Sequence, residues 1–309
     1  MGFFIGKFPE TGLEEKKTIW VICGPTASGK TAMAIHLASK LGCEILSADS
    51  RQIYRELNIG VARPEPEELA AVKHHFIGHI SITESYSAGR YGHEARIFAE
   101  QYFQQQDHLV LCGGTGLYLK AFLDGLDRQA ANEELRQQLQ KRLENEGLEN
   151  LSSELKLLHP ETAASTDLKN PRRVLRALEI IIGGQHQDTR PQEPISFLPE
   201  SWQMRKFAPA MERQELYHRI NQRTEQMLAK GLWEEAEALF EYRELNALQT
   251  VGYREIFDCM EGKITRLEAI EKIKQHTRNY AKRQLTWFRR DDAVCWITDI
   301  HRHSALNSV

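Results

Sequence analysis

The stretch that decides the fold is Gly24-Pro25-Thr26-Ala27-Ser28-Gly29-Lys30-Thr31, which reads G-x-x-x-x-G-K-T. It follows an apolar run at 18–23 that is typical of a strand, and it opens a run at 32–38 that is typical of a helix. In this context the motif forms a P-loop, whose backbone N–H groups surround phosphate oxygens. Lys30 can reach the outer phosphates, and the Thr31 hydroxyl is a candidate Mg²⁺ ligand. The sequence therefore predicts a phosphate site.

Two further apolar runs end in polar residues. Residues 43–47 predict a strand that leads to Asp49, and residues 108–112 predict a strand that leads to Gly113, Gly114 and Thr115. Helical patterns separate these strands, so we expect an α/β fold with a P-loop NTPase-like, doubly wound parallel sheet. Ligands of such sheets bind beyond the carboxyl ends of the strands. The P-loop and both strand ends should therefore face one crevice.

Asp49 is open to two interpretations. It is either an aspartate that caps the turn after a strand, or a carboxylate that serves as base or metal ligand beside the phosphates. The strand at 108–112 ends in Cys112-Gly113-Gly114, without the aspartate that helps to hold Mg²⁺ in P-loop NTPases. This disfavours an ATPase. A small-molecule kinase remains, as does an enzyme that uses the P-loop to hold a phosphate leaving group.

The composition excludes several classes of protein. The chain has 309 residues and a formal net charge of −3, so any contact with nucleic acid must come from local patches. Its five scattered cysteines form no C-x-x-C pattern, which suits a reducing compartment better than disulfides or a zinc site. No apolar run approaches the length of a membrane span. We expect a cytoplasmic monomer with no membrane partner.

The pattern along the chain predicts four parts. Residues 1–16 are predicted to be a flexible tail and 17–126 the first part of the α/β core. Residues 127–199 lack strand patterns and are predicted to be a helical insertion domain. Residues 200–309 are predicted to complete the core, with a further strand at 202–208.

Arginines mark the helix that is predicted to begin at Asn170-Pro171 in the insertion. Arg172 and Arg176 lie opposite its apolar face, and Arg173 flanks that face. These cations form either a solvated surface or a contact with a phosphate backbone.

Two more groups of cations lie in the second part of the core. Arg219 and Arg223 fall on or beside the apolar face of a helix, where each forms a structural salt bridge or contacts a bound phosphate. Between 263 and 290 there are nine Lys or Arg residues against two Glu, with Tyr280, Trp287 and Phe288 among them. That segment is either the charged face of an amphipathic helix or a surface for single-stranded nucleic acid.

Five motifs in order, spread over about residues 18–299, give the chain a specific resemblance. They are GPTASGKT at 24–31, DSRQIY at 49–54, GGTGLY at 113–118, VGYR at 251–254 and KRQLTWFR at 282–289. With them the chain resembles the bacterial tRNA dimethylallyltransferases, also called tRNA isopentenyltransferases. This family transfers a dimethylallyl group from dimethylallyl diphosphate to N6 of adenosine 37 in tRNAs that read codons beginning with U. The resemblance implies Mg²⁺ as cofactor and the tRNA anticodon stem-loop as partner.

The resemblance also implies roles for individual residues. Asp49 would be the general base toward N6, Thr115 would lie near the reacting centre, and Lys30 would act on the diphosphate. Residues 24–31 would hold the diphosphate, with Thr31 on Mg²⁺ and either Arg219 or Arg223 as a clamp. The residues implied in tRNA binding are Asp49, Ser50, Arg51, Gln52, Thr115, Arg136, Arg172, Arg173, Val174, Leu175, Arg176, Gln249, Thr250, Val251, Gly252, Tyr253, Arg254, Lys282, Arg283, Gln284, Trp287 and Arg289.

One departure and three rival functions accompany the resemblance. Val61 replaces the usual threonine of the family and lacks its hydroxyl. A small-molecule kinase would turn over ATP and would not need the basic C-terminal segment. A transferase that acts on free adenine nucleotides should lack that segment and the insertion. A non-catalytic RNA-binding module would have no use for a complete P-loop beside Asp49.

Overall fold

The computed structural model describes residues 17–126, 133–185 and 198–298. The chain divides into two compact units, residues 1–126 with 197–309 and residues 127–196. The tail predicted at 1–16 lies outside the described residues. Within the described ranges, no helix is both long and apolar enough to cross a membrane.

The larger unit is built on a parallel sheet of six strands in the order β3-β2-β4-β1-β5-β6. This confirms the predicted α/β fold. The predicted second, third and fourth strands correspond to β2, β4 and β5, whereas β3 and β6 were not predicted. The strands are β1 Thr18–Cys23, β2 Ile45–Ser47, β3 His74–His75, β4 His108–Gly113, β5 Gln203–Pro209 and β6 Val294–Ile297.

Helices connect and cover these strands. A short 3₁₀ helix, Phe240–Tyr242, follows the α-helix at 232–238. The α-helices of this unit are α1 Lys30–Leu41, α2 Pro66–Ala71, α3 Ala88–Tyr102, α4 Gly116–Leu123, α8 Arg213–Ala229, α9 Leu232–Ala238, α10 Tyr253–Met260 and α11 Arg266–Phe288.

The strand β1 is buried on both faces because apolar clusters lie on both sides of the sheet. Its alternate residues Ile19 and Val21 pack into a cluster that includes side chains of α3, α4 and α10. Trp20 and Ile22 pack into a second cluster, which includes side chains of α1. Burial on both faces explains why the strand reads as a continuous apolar run. It also fixes the start of the loop that follows Cys23.

The smaller unit consists of helices joined by short turns in its described residues. It contains α5 Glu133–Leu158, α6 Pro160–Ser165 and α7 Pro171–Gln185. The helix α5 is interrupted at Gly147, which has the left-handed φ of 81°. The predicted start of α7 is confirmed, because Asn170 Oδ1 accepts a hydrogen bond from the Arg173 N–H at 3.4 Å. Leucines of α5 pack against Val174 and Leu178 of α7.

Candidate active site

The loop between β1 and α1 has the backbone of a phosphate cradle. Gly24 and Gly29 have φ of 142° and 88°, which side-chain-bearing residues rarely adopt. Ala27 also has a positive φ of 62°, a conformation that is uncommon for alanine and typical of strained functional loops. Gly29 caps α1, so the loop ends at the positive end of the helix dipole.

Two cations point to this loop from different elements. Lys30 Nζ donates to the Pro25 carbonyl at 3.3 Å, and Arg223 Nη1 of α8 donates to Thr26 Oγ1 at 3.4 Å. Burial lowers the pKa of both side chains, and the negative charge of Asp49 is among the effects that oppose the shift. A bound anion would offset the cost of burying these charges. Arg219, the other candidate clamp, instead pairs with Glu215 at 2.8 Å.

One of the two carboxylate oxygens of Asp49 caps the turn after β2, which is the structural interpretation of this residue. Asp49 Oδ1 accepts hydrogen bonds from the N–H groups of Arg51 at 2.9 Å and Gln52 at 3.3 Å. Among the described residues, Oδ2 makes no hydrogen bond. One oxygen therefore fixes the turn after β2 while the other is available to a ligand. The turn and the functional interpretations of Asp49 are compatible.

One pocket brings these groups together, as the sequence predicted for the crevice. Asp49 and Arg223 line it with three P-loop residues, Thr26, Lys30 and Thr31. The other lining residues are Ile45, Ser47, Gln52, Val61, Ala62, Pro64, His74, Ile77, Cys112 and Gly113.

The donor groups of the pocket suit Mg²⁺ only together with a phosphate ligand. Within the described ranges, no three His, Cys, Asp or Glu residues are grouped to hold a metal by themselves. Mg²⁺ in phosphate sites keeps several waters and takes one or two protein oxygens plus phosphate oxygens. The Thr31 hydroxyl, on the pocket wall, fits that pattern.

Thr115 ties the turn after β4 to the turn after β2. Its Oγ1 accepts the Ser50 N–H at 3.0 Å and lies 3.3 Å from Ser50 Oγ. Tyr280 of α11 interacts with Thr115, and burial, followed by the charge of Asp49, raises the pKa of Tyr280 to about 12. The tyrosine is therefore neutral and able to donate a proton in a hydrogen bond. The sequence indicated Tyr280 only as part of a basic-aromatic segment.

Arg51 and Gln52 bind the protein's own backbone. Arg51 Nη1 donates to the carbonyls of Asn246 and Ala247 at 2.6 and 3.1 Å. Gln52 Nε2 donates to the carbonyls of Val61 and Ala62 at 3.3 and 2.9 Å. Both side chains thus hold neighbouring loops, and the predicted contact of Gln52 with a base stays a prediction.

Three side chains that were predicted to bind tRNA are buried, which corrects that assignment for them. Val174 and Tyr253 are fully buried in their units, and the Tyr253 ring covers Gly60 so closely that a Cβ there would lie 2.5 Å from it. Gln284 is 6% exposed. Its Oε1 accepts the Thr26 N–H at 2.9 Å and its Nε2 donates to the Gly114 carbonyl at 2.8 Å. These side chains make internal contacts and expose little or no surface to RNA.

The basic C-terminal segment is less uniformly cationic than its composition indicated. Lys263 pairs with Asp258 and Glu261, and Lys274 pairs with Glu225 and Glu271. The predicted tRNA-binding residues that are exposed in this unit are Arg254, Lys282, Arg283, Trp287 and Arg289, whereas Gln249, Thr250 and Val251 are half-buried and Gly252 is buried. The free charge is therefore concentrated near the end of α11.

In the smaller unit, most of the predicted arginines have acidic partners. Arg136 and Arg176 both pair with Glu179, at 3.1 and 2.9 Å, and that carboxylate is only 6% exposed. Arg173 lies 3.7 Å from Asp167. Arg172 is exposed, and Leu175 is half-buried against the apolar cluster. Among the described residues, Arg172 is therefore the cation of this group that has no acidic partner.

The loops after β1, β2 and β4 and the residue Arg223 define a class of protein. A P-loop that opens a helix beside a central parallel strand, with cations facing a carboxylate, is the arrangement typical of P-loop α/β proteins that bind phosphorylated ligands.

The comparisons with known proteins name the family. The IPP transferase model matches residues 52–291, and the chain belongs to the IPP transferase family. A tRNA dimethylallyltransferase of Cytophaga hutchinsonii is 46% identical to it, with 91% of this chain and 92% of the relative covered. A tRNA dimethylallyltransferase of Bacteroides fragilis is 43% identical, with 91% and 93% covered. The predictions of this family, and of an enzyme of the prenyltransferase class, are confirmed.

Solved structures agree with this assignment. The full-length tRNA isopentenylpyrophosphate transferase of Bacillus halodurans is similar with a TM-score of 0.69 and 34% identity, covering 95% of this chain and 94% of that one. A eukaryotic dimethylallyltransferase acting on tRNA is similar with a TM-score of 0.76 and 25% identity, covering 94% and 77%.

Proposed function

We propose that this chain transfers a dimethylallyl group from dimethylallyl diphosphate to N6 of adenosine 37 in tRNAs that read codons beginning with U. One observation carries the proposal: Lys30 and Arg223 line the same pocket as Asp49. Cations suited to a diphosphate leaving group thereby face a carboxylate suited to an amine acceptor. The relatives, which are tRNA dimethylallyltransferases, support the donor and the RNA acceptor.

The diphosphate side of the pocket acts on the leaving group. As the bond between C1 of the allyl group and the diphosphate oxygen breaks, its electron pair goes to the diphosphate. P-loop N–H groups, Lys30 and Arg223 stabilise the growing negative charge because they are held in place before the reaction. Mg²⁺ bound to the Thr31 hydroxyl would neutralise part of the same charge. No ATP is consumed in this scheme.

The opposite wall of the pocket acts on the acceptor. N6 of adenine is a weak nucleophile because its lone pair is delocalised into the ring. As the N6–C1 bond forms, Asp49 Oδ2 accepts the N6 proton, while Oδ1 stays bound to the turn. General-base catalysis of this kind contributes roughly 10²–10⁴-fold to the rate. Thr115 and Tyr280 keep the neighbouring turn in place.

The target base must be flipped out of the RNA to enter this pocket. Adenosine 37 must leave the anticodon-loop stack to bring N6 to Asp49. The exposed cations at the end of α11 and Arg172 of the insertion are our candidates for phosphate contacts, since such contacts position the RNA without reading its sequence. We propose that the enzyme acts as a monomer in the cytoplasm, where it meets tRNA.

A labelling experiment tests the proposal. The enzyme is incubated with Mg²⁺, radiolabelled dimethylallyl diphosphate and an unmodified anticodon stem-loop that contains adenosine 37. We expect label in this RNA and none in a matched stem-loop with guanosine 37. ATP should neither stimulate the reaction nor be hydrolysed. AMP as an equally good acceptor would contradict the tRNA assignment, and ATP hydrolysis coupled to product would favour a kinase.

A further inference from the structure

The helix α11 presents one face to the turn after β4. Tyr280, Gln284 and Trp287 lie on that face at helical spacing. Tyr280 interacts with Thr115, and Gln284 donates to the Gly114 carbonyl. The Trp287 indole lies so close to Gly116 that a Cβ there would be 2.2 Å from its Nε1. The helix is therefore closely fitted to this turn, while Lys282, Arg283 and Arg289 point to solvent.

Of the three described side chains on this face, Gln284 also hydrogen-bonds the P-loop. Gln284 is 6% exposed, and the two ends of its carboxamide bond two different loops. Oε1 accepts the Thr26 N–H at 2.9 Å, and Nε2 donates to the Gly114 carbonyl at 2.8 Å. A Cβ on Gly114 would lie 2.4 Å from Gln284 Nε2, so the absence of a side chain there is what admits the amide. The Gly114 carbonyl would otherwise be buried without this partner, which is costly, and the part-buried Thr26 N–H would lose its acceptor.

Thr26 is the residue at which the P-loop meets Arg223. Its Oγ1 accepts from Arg223 Nη1 at 3.4 Å, while its N–H is held by Gln284. The position of this residue therefore depends on α8 through its side chain and on α11 through its backbone. If the Gln284 amide were lost, the Thr26 N–H would have to find another partner, and the loop would move away from the arrangement that faces the ligand.

We propose that Gln284 is a positioning residue for the diphosphate, and not a contact for tRNA. It bridges the P-loop and the Gly114 turn so that the loop is already shaped for the ligand before it binds. The inference rests on the proposed function in one respect, namely that the P-loop holds a diphosphate. In this proposal, the face of α11 that packs on the Gly114 turn supports binding of the allyl donor. The exposed face with Lys282, Arg283 and Arg289 is left for contacts with RNA.

Gln284→Met tests the proposal because methionine keeps the length of the side chain and removes both hydrogen bonds. Gln275→Met, at an exposed position of the same helix, is the matched control. The probe is inorganic diphosphate with Mg²⁺, measured by calorimetry. We expect the Kd for diphosphate to rise about tenfold or more in Gln284→Met, as for the loss of buried hydrogen bonds. The Kd for tRNA should stay within about twofold, as phosphate contacts dominate it, and Gln275→Met should match the wild type.

A second variant disturbs the contact between Gln284 and Gly114 from the side of the glycine. Gly114→Ala places a methyl group against the amide and should weaken diphosphate binding without any change at position 284. Lys282→Ala should show the opposite profile, with weaker tRNA binding and normal diphosphate binding. Thermal unfolding is followed for every variant.

Two results would overturn the assignment. One is normal diphosphate affinity in folded Gln284→Met, whether or not tRNA binding falls. The other is an equal loss of both affinities with a lowered Tm, which would mean a general structural role. Diphosphate binding is measured without any transfer reaction, so a wild type that labels no tRNA would contradict the proposed function and would leave this readout intact.

Discussion

At the scale of single residues, Asp49 is the most direct test of the chemistry. Asp49→Asn keeps an oxygen that can accept the N–H groups of Arg51 and Gln52, so the turn should persist while the base is lost. We expect the single-turnover rate to fall roughly 10²-fold or more. The Kd for tRNA should hardly change, because phosphate contacts dominate affinity. A near-normal rate would exclude Asp49 as the base.

The two arginines of α8 form a natural pair of variants. Arg223→Ala removes the cation beside Thr26, and we expect the KM for dimethylallyl diphosphate to rise about tenfold or more, since hydrogen bonds to charged groups contribute about 1.5–3 kcal/mol. Arg219→Ala removes a residue paired with Glu215 and should change this KM less than threefold. Steady-state kinetics at saturating tRNA separates the two. The reverse order would assign the clamp to Arg219.

The residues of the site differ in how far the sequence could predict them. The P-loop and Asp49 could be predicted because a motif and its flanking strand are local features. The choice between Arg219 and Arg223 could not, because both lie near the same side of one helix. The role of Gln284 depends on a contact with Thr26, 258 positions away in the chain. No spacing within a single sequence indicates such a contact, and the resemblance pointed to RNA instead.

At the scale of elements, α11 has exposed cations and cations that are paired with carboxylates. Lys282 is exposed, whereas Lys274 is held between Glu225 and Glu271. If the exposed end contacts phosphates, log K for tRNA falls with log salt by about 0.7–0.9 per contact. We expect Lys282→Ala to flatten this slope by somewhat under one, and Lys274→Ala to leave it unchanged. Equal slopes for both variants and the wild type would mean that this face of α11 is merely solvated.

In the insertion, two arginine variants should separate an effect on tRNA binding from an effect on stability. Arg176→Ala would leave the buried Glu179 with Arg136 as its remaining partner, and breaking a buried pair is destabilising. Arg172→Ala should therefore weaken tRNA binding with little change in Tm, whereas Arg176→Ala should lower the Tm as well. Thermal unfolding beside a binding titration measures both. A Tm change in Arg172→Ala alone would contradict this assignment.

The elements that the sequence did not predict are short or lie at the edges of the sheet. β3 has two residues and β6 has four, too few for an alternating pattern to stand out. β2 starts at Ile45 rather than Cys43, because the Cys43 N–H bonds the Ala38 carbonyl at the end of α1. The central strand β1 was predicted well because burial on both faces leaves a continuous apolar run.

At the scale of the whole molecule, the reactivity of the cysteines measures how well the core excludes solvent and reagents. Burial raises the pKa of Cys23, Cys43 and Cys112 to about 12. The thiolate is the reactive form, so at pH 8 these thiols stay protonated and inert. Cys295 is exposed and Cys259 is half-buried. We expect iodoacetamide to modify Cys295 first in the native protein, as followed by mass spectrometry.

Two controls complete this experiment. Cys295→Ser should abolish the fast modification, and unfolding in urea should expose all five cysteines. Rapid modification of Cys23 or Cys112 in the folded protein would show that the core opens more readily than its burial indicates.

The central position of β1 in the sheet has a consequence for folding of the nascent chain during translation. Of the strands of this sheet, β1 is synthesised first, yet its neighbours are β4 and β5, and the latter spans 203–209. The Thr26 N–H meets Gln284 later still. Because such distant partners must be present before their contacts form, translation itself delays the activity. A product cut short before α11 would carry the whole P-loop motif and no working site.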